Sequence, residues 1–383
     1  MQSTSARERR WSLAAAIASV TVFGLSIGQG APLVSLLMEQ RGIEATLNGL
    51  NASGVFLGVI VGPLLAPRFI RALGVRNFLL VGFALDVALV LMLKVFDGLL
   101  AWFALRALLG LIGSSVFTSG EAWINQLAGD ADRGRIIGLY AAALSAGFGV
   151  GPLLLSVTGI NGWAPFVANA AITALAMLPL LGVGDASRAF GRERGASPLT
   201  MFARAPVILG VVAIFGFYEA ALMVVLPIWG VRSGLNERLA AATLSAVYLG
   251  SIVLQVLIGW LSDKLSRLAA LRLCAAVGLL GAILAMQPAP LPLVFCLLFV
   301  WGGVASGIYP VALSMAGDQF RGADLVSVNA AMIIAYGLGA FAGPALGGLA
   351  MDVWQQQGLF WLFALLFAGM LIVVSQRVGV GKA

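Results

Sequence analysis

Histidine occurs nowhere in the 383 residues, and only two cysteines do, Cys274 and Cys296, both inside apolar runs. The first absence removes Ser-His and Cys-His pairs, His-ligated metal and imidazole proton relays. The second removes a disulfide framework and a zinc site. Charge is scarce as well: 10% of the residues are Asp, Glu, Lys or Arg, against about 25% in ordinary soluble domains. No Walker A sequence, no HExxH and no cluster of aspartates appears, so neither ATP-driven work nor catalysis has visible machinery, and no metal or cofactor is expected. What fills the chain instead is apolar: 61% of the residues, 48 glycines and a mean hydropathy of +1.01. Such a composition belongs to a chain embedded in lipid.

Hydropathy divides the chain into twelve expected membrane-spanning α-helices, at about 11–38, 46–66, 77–94, 99–127, 135–158, 163–183, 205–230, 239–261, 269–287, 291–315, 326–351 and 357–375. The first run is about twice as long as a signal-peptide core and is followed by others, so it reads as a permanent helix. If the N-terminus is cytoplasmic, 18 of the 23 basic residues lie on the cytoplasmic side and 4 on the outer side, with Arg106 inside a span. That asymmetry follows the positive-inside rule and predicts both termini in the cytoplasm of a bacterial inner (plasma) membrane. The net charge of +7 is then topological, and nucleic acid is not an expected partner.

The longest connection, 184–204 (GDASRAFGRERGASPLTMFAR), is polar and rich in arginine. It predicts an N-terminal six-helix bundle over 1–183, a cytoplasmic linker over 184–204 and a C-terminal six-helix bundle over 205–383. An internal repeat supports the same division. AGDADRG (128–134) returns as AGDQFRG (316–322) at an offset of 188. Gly147-x-x-x-Gly151-Pro152 returns as Gly339-x-x-x-Gly343-Pro344 at 192, and Arg68…Arg71 returns as Lys264…Arg267 at 196.

Several of these segments resemble a known family. Gly259-Trp260-Leu261-Ser262-Asp263-Lys264-Leu265-Ser266-Arg267 is similar to the loop signature G-x-L-x-D-R/K-x-x-R of major facilitator superfamily transporters. Arg106-x-x-x-Gly110-x-x-Gly113 resembles the signature of their fourth span, and Gly339 to Gly348 resembles their glycine-proline signature. Pro67 stands where the first-half loop signature has aspartate, as happens in the YcaD-like branch, which the segments around Glu121, Tyr309-Pro310, Asn329 and Tyr336 also resemble. The resemblance implies an all-α membrane fold of two pseudo-symmetric six-helix bundles, with a solute site at mid-depth between the halves, lined by spans 1, 4, 7 and 10.

Ionisable residues within spans carry the chemical signal, because each costs about 2.5–3.5 kcal/mol on insertion scales unless paired or wet. Four qualify: Asp86, Arg106, Glu121 and Glu219. Asp86 and Arg106 lie at similar depth, which suits either a structural ion pair or a coupling role. Glu121 follows Arg106 by 15 residues, about 22 Å along a helix, so these two are not direct partners. Without histidine, a coupling proton needs a carboxylate that can hold it near neutral pH inside the protein. Glu121 is the first candidate and Glu219 the second. At an offset of 188 the repeat partner of Glu121 is Tyr309.

Among the aromatics, Trp11, Trp102, Trp163, Trp229, Trp354 and Trp361 fall near span ends and read as an interfacial belt. Trp123, Tyr218, Tyr248, Trp301, Tyr309 and Tyr336 lie deeper and suit a flat or amphipathic organic solute, with Gln29, Asn125 and Asn329 adding hydrogen bonds. Asp263, Lys264 and Arg267 read as a cytoplasmic gate or as a headgroup anchor. The glycine rows read as close packing or as hinges. The expected function is secondary active transport of a small organic solute by a monomer, coupled to H+, with export slightly favoured. Uptake of an aromatic metabolite or vitamin, and a receptor or assembly role without flux, are the alternatives.

Overall fold

The computed structural model describes residues 6–127, 133–182 and 197–376. Among these residues the chain is helical and has no strand. In order come α1 (Ala6–Gln40), α2 (Ala45–Leu73), α3 (Val75–Val95), α4 (Leu99–Leu127), α5 (Arg133–Thr158), α6 (Ala164–Leu181) and the short α7 (Pro198–Arg204). There follow α8 (Pro206–Arg232), α9 (Glu237–Lys264), α10 (Arg267–Ala285), α11 (Leu291–Ala305), α12 (Ile308–Gln319), α13 (Gly322–Val353) and α14 (Gly358–Gln376). Eleven described stretches are long and apolar enough to cross a membrane, with Leu291–Gln319 as one of them, and Ala142–Thr158 on α5 is a shorter apolar one. Each expected span therefore has its helix.

Helix ends follow from local chemistry. After α8, Gly234 takes φ +89°, which a residue with a Cβ rarely adopts, and the backbone N–H of Leu235 bonds the carbonyl of Gly230 at 3.0 Å. Asn236 then caps α9, its Oδ1 accepting from the N–H of Leu239 at 2.9 Å.

The tenth span is broken, where the sequence reads as one continuous helix over 291–315. Helix α11 ends at Ala305 and α12 begins at Ile308. Pro310 explains the break: it has no N–H for the carbonyl of Ser306, and its ring would collide with that carbonyl in a continuous helix. Gly307 beside the break lets α9 come close, since a Cβ there would lie 2.6 Å from Ile258 Cγ2.

Contacts divide the chain into two compact units, residues 1–37 with 54–191 and residues 38–53 with 192–383. Within the first unit, α5 lies backbone to backbone on α1. A Cβ at Gly147 would strike the carbonyl of Thr21, and one at Gly151 would sit 2.8 Å from that of Leu25. Within the second unit, α13 lies on α8 in the same way: Gly339 faces the carbonyl of Ala213, and Gly343 that of Phe217. Both members of each pair shift by 192. The α2–α4 contact repeats as α9–α11 at the same offset, Gly58 facing the Ala107 carbonyl and Gly250 that of Phe299. The exit motif after span 10 repeats at 188, so the four-residue loss, about one helical turn, falls between Phe299 and Ala316, the stretch that holds the Ser306–Gly307 break.

Two belt expectations need correction. Trp102 is 2% exposed and donates from Nε1 to the carbonyl of Leu93 at 2.9 Å, and Trp229 is 8% exposed against Phe360. Proximity to a span end does not decide which side of the helix faces lipid. Trp11, Trp163, Trp354 and Trp361 are exposed, as the belt reading expects.

Candidate functional site

The second unit assembles a polar and aromatic patch from α8, α12 and α13. Helix α13 can lie against α8 because Gly216 has no side chain; a Cβ there would stand 3.0 Å from the Cα of Tyr336. That closeness brings the hydroxyl of Tyr336 to the carboxylate of Glu219, one turn further along α8, where it donates to Oε2 at 2.9 Å. Glu219 lies in the middle of α8 and Tyr336 near the middle of α13, and both remain half-buried. Phe215 and Tyr309 complete the patch. The Phe215 ring lies 5.8 Å from Tyr309 and 6.3 Å from Tyr336, and the two tyrosines meet edge to face at 6.5 Å. Tyr309 follows directly on the break in span 10, where irregular backbone at membrane depth belongs on a cavity or in protein rather than against lipid. Asn329 lies seven residues before Tyr336 on the same face of α13, and its Oδ1 is buried without a hydrogen-bond partner.

Other expected site residues are placed elsewhere. Tyr218 and Trp301 are each 1% exposed and belong to an aromatic core with Phe363 and Phe367. The Trp301 Nε1–H donates to the carbonyl of Gly278 at 2.8 Å. They serve packing, the reading that their depth alone could not separate from solute contact. Tyr248 is 5% exposed on α9. In the first unit Trp123 is 2% exposed in the hydrophobic core with Ala16, Val20 and Leu79. Gln29 is fully buried and donates from Nε2 to the carbonyl of Pro165 at 2.8 Å. Arg106, 2% exposed, donates to the carbonyl of Ala31 at 3.3 Å, whereas Asp86 accepts from the hydroxyl of Ser26 at 3.3 Å. The side chains of Glu121 and Asn125, like residues 128–132 and 183–196, lie outside the described residues.

At the helix ends Arg267 joins two segments that the repeat singles out. It bonds Asp263 at 2.6 Å, the hydroxyl of Ser262 at 2.9 Å and Asp318 of AGDQFRG at 3.1 Å. Lys264 lies over the Trp260 ring at 4.0 Å. Arg204 on α7 bonds Asp324 at 2.7 Å, and its guanidinium holds that carboxyl below the ordinary 3.8. Sequence reasoning missed Phe215, Asp318 and a further cluster in the second unit. There Arg232 bonds both carboxylate oxygens of Glu39, at 2.8 and 3.2 Å, and Asp352 at 3.3 Å. Asp352 in turn accepts from the N–H groups of Ala45 and Thr46 at the start of α2. No spacing signal links Glu39 to Arg232, because only the packing of 38–53 on α13 and α8 makes them neighbours.

A broken helix, paired glycine rows repeated at one offset, and the Asp263–Arg267–Asp318 link now stand together. The sequence matches the model of the Major Facilitator Superfamily over residues 13–291 and again over 208–378. The chain belongs to the Major Facilitator Superfamily. Among its relatives is the uncharacterized MFS-type transporter YfkF of Bacillus subtilis, 26% identical over 354 residues that cover 90% of each chain. Another is the uncharacterized MFS-type transporter YcaD of Escherichia fergusonii, 26% identical over 357 residues and 91% of each chain. Among solved structures, that of the nucleoside transporter NupG superposes with a TM-score of 0.79 at 12% identity, covering 97% of this chain and 99% of the other. A bacterial homolog of the human lysosomal transporter Spinster, in an inward-facing and unoccupied conformation, gives 0.75 at 13% identity, covering 97% and 96%. These likenesses show the fold. The protein is thus an integral membrane transporter of the superfamily, whose partners are lipid and a small solute.

Proposed function

We propose that the chain carries a small organic solute across a bacterial inner membrane by alternating access, as a proton-coupled monomer with both termini cytoplasmic, and that export is slightly favoured over import. The observation that carries this reading is the Glu219–Tyr336 pair, a carboxylate and a phenol hydrogen-bonded at 2.9 Å in mid-span and half-buried. A carboxylate inside lipid is costly unless it is wet, paired or used. Here it stands beside three aromatic rings, a lining suited to a flat, hydrophobic or cationic compound. Glu219 and Glu121 are assigned to the coupling proton, Tyr309, Tyr336 and Asn329 to the solute, and Asp263, Lys264 and Arg267 to the cytoplasmic gate. The unpartnered Oδ1 of Asn329 also suits a polar heterocycle, which favours a second reading: uptake of an aromatic metabolite or vitamin.

The test is flux in proteoliposomes. A thermal-shift screen of aromatic cations and flavin-like heterocycles selects the solute, and accumulation is then measured under an imposed pH gradient. Glu219→Gln is expected to abolish gradient-driven accumulation while leaving solute exchange measurable. Accumulation by Glu219→Gln equal to that of the wild type overturns its coupling role. Binding without flux under any gradient overturns transport and leaves a receptor or assembly role.

A further inference from the structure

A second polar cluster lies within the first unit, where α1, α3 and α6 meet. The amide of Asn169 on α6, 1% exposed, donates from Nδ2 to the backbone carbonyl of Ser26 on α1 at 3.2 Å. That bond sets the amide's orientation and turns its Oδ1 toward the Ser26 hydroxyl, 3.0 Å away. The same hydroxyl lies 3.3 Å from Oδ2 of Asp86 on α3. A serine hydroxyl has one hydrogen, and an amide oxygen and a carboxylate oxygen are both acceptors. One hydrogen cannot serve both, so the cluster closes only when a second proton sits on Asp86: the carboxyl then donates to Ser26 Oγ, and Ser26 donates to Asn169. Thr173, 1% exposed, sets its hydroxyl beside the same carboxyl, and the Oε1 of fully buried Gln29, one turn along α1, has no hydrogen-bond partner. Unpartnered polar atoms buried in a lipid-embedded unit mark a place for a mobile hydrogen or an ordered water.

Among the described residues, no ionised side chain is a partner of the Asp86 carboxylate, whose neighbours are the hydroxyls of Ser26 and Thr173. Helix α1 between residues 11 and 38 and the whole of α6 carry no charged residue, and the other charges of α3, Arg76 and Lys94, lie at its two ends. On α4 the charged residues are Arg106, whose guanidinium donates to the Ala31 carbonyl more than a turn beyond Ser26, and Glu121.

We propose that Asp86, Ser26, Asn169 and Thr173 form a proton-binding site in the first unit, separate from the Glu219 patch. When H+ adds to the carboxylate, Asp86 becomes a donor and the Ser26 hydroxyl turns from donating to Asp86 to donating to Asn169. When the proton leaves, the hydroxyl turns back and Asn169 Oδ1 loses its donor. One proton thereby reverses the hydrogen bond between α1 and α3 and adds one between α1 and α6.

Infrared difference spectroscopy on the full-length protein tests this without reference to flux. Wild type minus Asp86→Asn is expected to show the C=O stretch of a neutral carboxyl at neutral pH, with Glu219 present in both samples and cancelling. Ser26→Ala should shift that band, and raising the pH should remove it in favour of a carboxylate band. Should Asp86→Asn fail to fold, labelling of the wild type with dicyclohexylcarbodiimide, which attacks protonated buried carboxyls, is expected to modify Asp86 and to be lost as the pH rises. A difference spectrum showing only a carboxylate at neutral pH, or an unlabelled Asp86, overturns the proposal.

Discussion

Two places in the molecule occupy the same position in the repeat and have opposite interiors. On α1, Ser26 meets Asp86 and Asn169; 192 residues later on α8, Tyr218 meets Trp301, Phe363 and Phe367. The register is the same in both, because Thr21 with Gly147 and Ala213 with Gly339 hold each helix pair at backbone contact. Duplication kept the backbone geometry, where a single added methyl collides with a carbonyl. It left the side chains free to diverge, since a cavity of given volume can be filled by a hydrogen-bonded polar trio or by rings that meet edge to face. The first half became polar at this level, and the second became an aromatic brace behind Glu219.

The largest expected effect tests the shared part. Gly339→Ala and Gly147→Ala should each cost about 3 kcal/mol, the upper range for overpacking against backbone that cannot yield. The check is the melting temperature in detergent. A loss in one half with none in the other would break the claim that both contacts do the same work.

A smaller effect tests the divergent part. Tyr218 is 1% exposed with a hydroxyl that finds no partner, so Tyr218→Phe should be neutral or should raise the melting temperature. Ser26→Ala, at the matching position, should lower stability by about 1 kcal/mol through its lost hydrogen bonds. Equal signs would sink the contrast.

The smallest effect lies outside both interiors. Arg204 holds Asp324 below its ordinary 3.8. A carboxyl depressed in the folded state contributes stability that is complete above its unfolded value and lost as the pH falls through the folded one. The melting difference between wild type and Asp324→Asn should therefore be small at pH 7, as expected for an exposed pair, and should vanish in acid below the lowered value. A difference unchanged by acid would mean that the ion pair is not its source.

Much of the fold was legible in the sequence, and less of the site. Twelve apolar runs, the duplicated glycine rows and the loop signature are one-dimensional patterns, and each has its helix or contact. The break in span 10 was also written there, in Pro310, but a run that stays apolar hides it from hydropathy. Asp86, Glu219, Tyr309 and Tyr336 stand out in the sequence because charge and phenol are rare within spans. Tyr218 passes the same test and Trp301 stands out by its depth, yet both face the core, while Phe215, an ordinary apolar residue by sequence, faces the tyrosines.

By itself the sequence determined that this chain lives in lipid, as helices in two related sets, because burial of apolar length and the small size of glycine act through local order along the chain. Only the tertiary structure decided which polar and aromatic residues meet one another. A helix in lipid is apolar on nearly every side, so its rotation about its own axis is set by backbone contact with its neighbours. That rotation sends Tyr218 inward and leaves Glu219, the next residue, in reach of Tyr336.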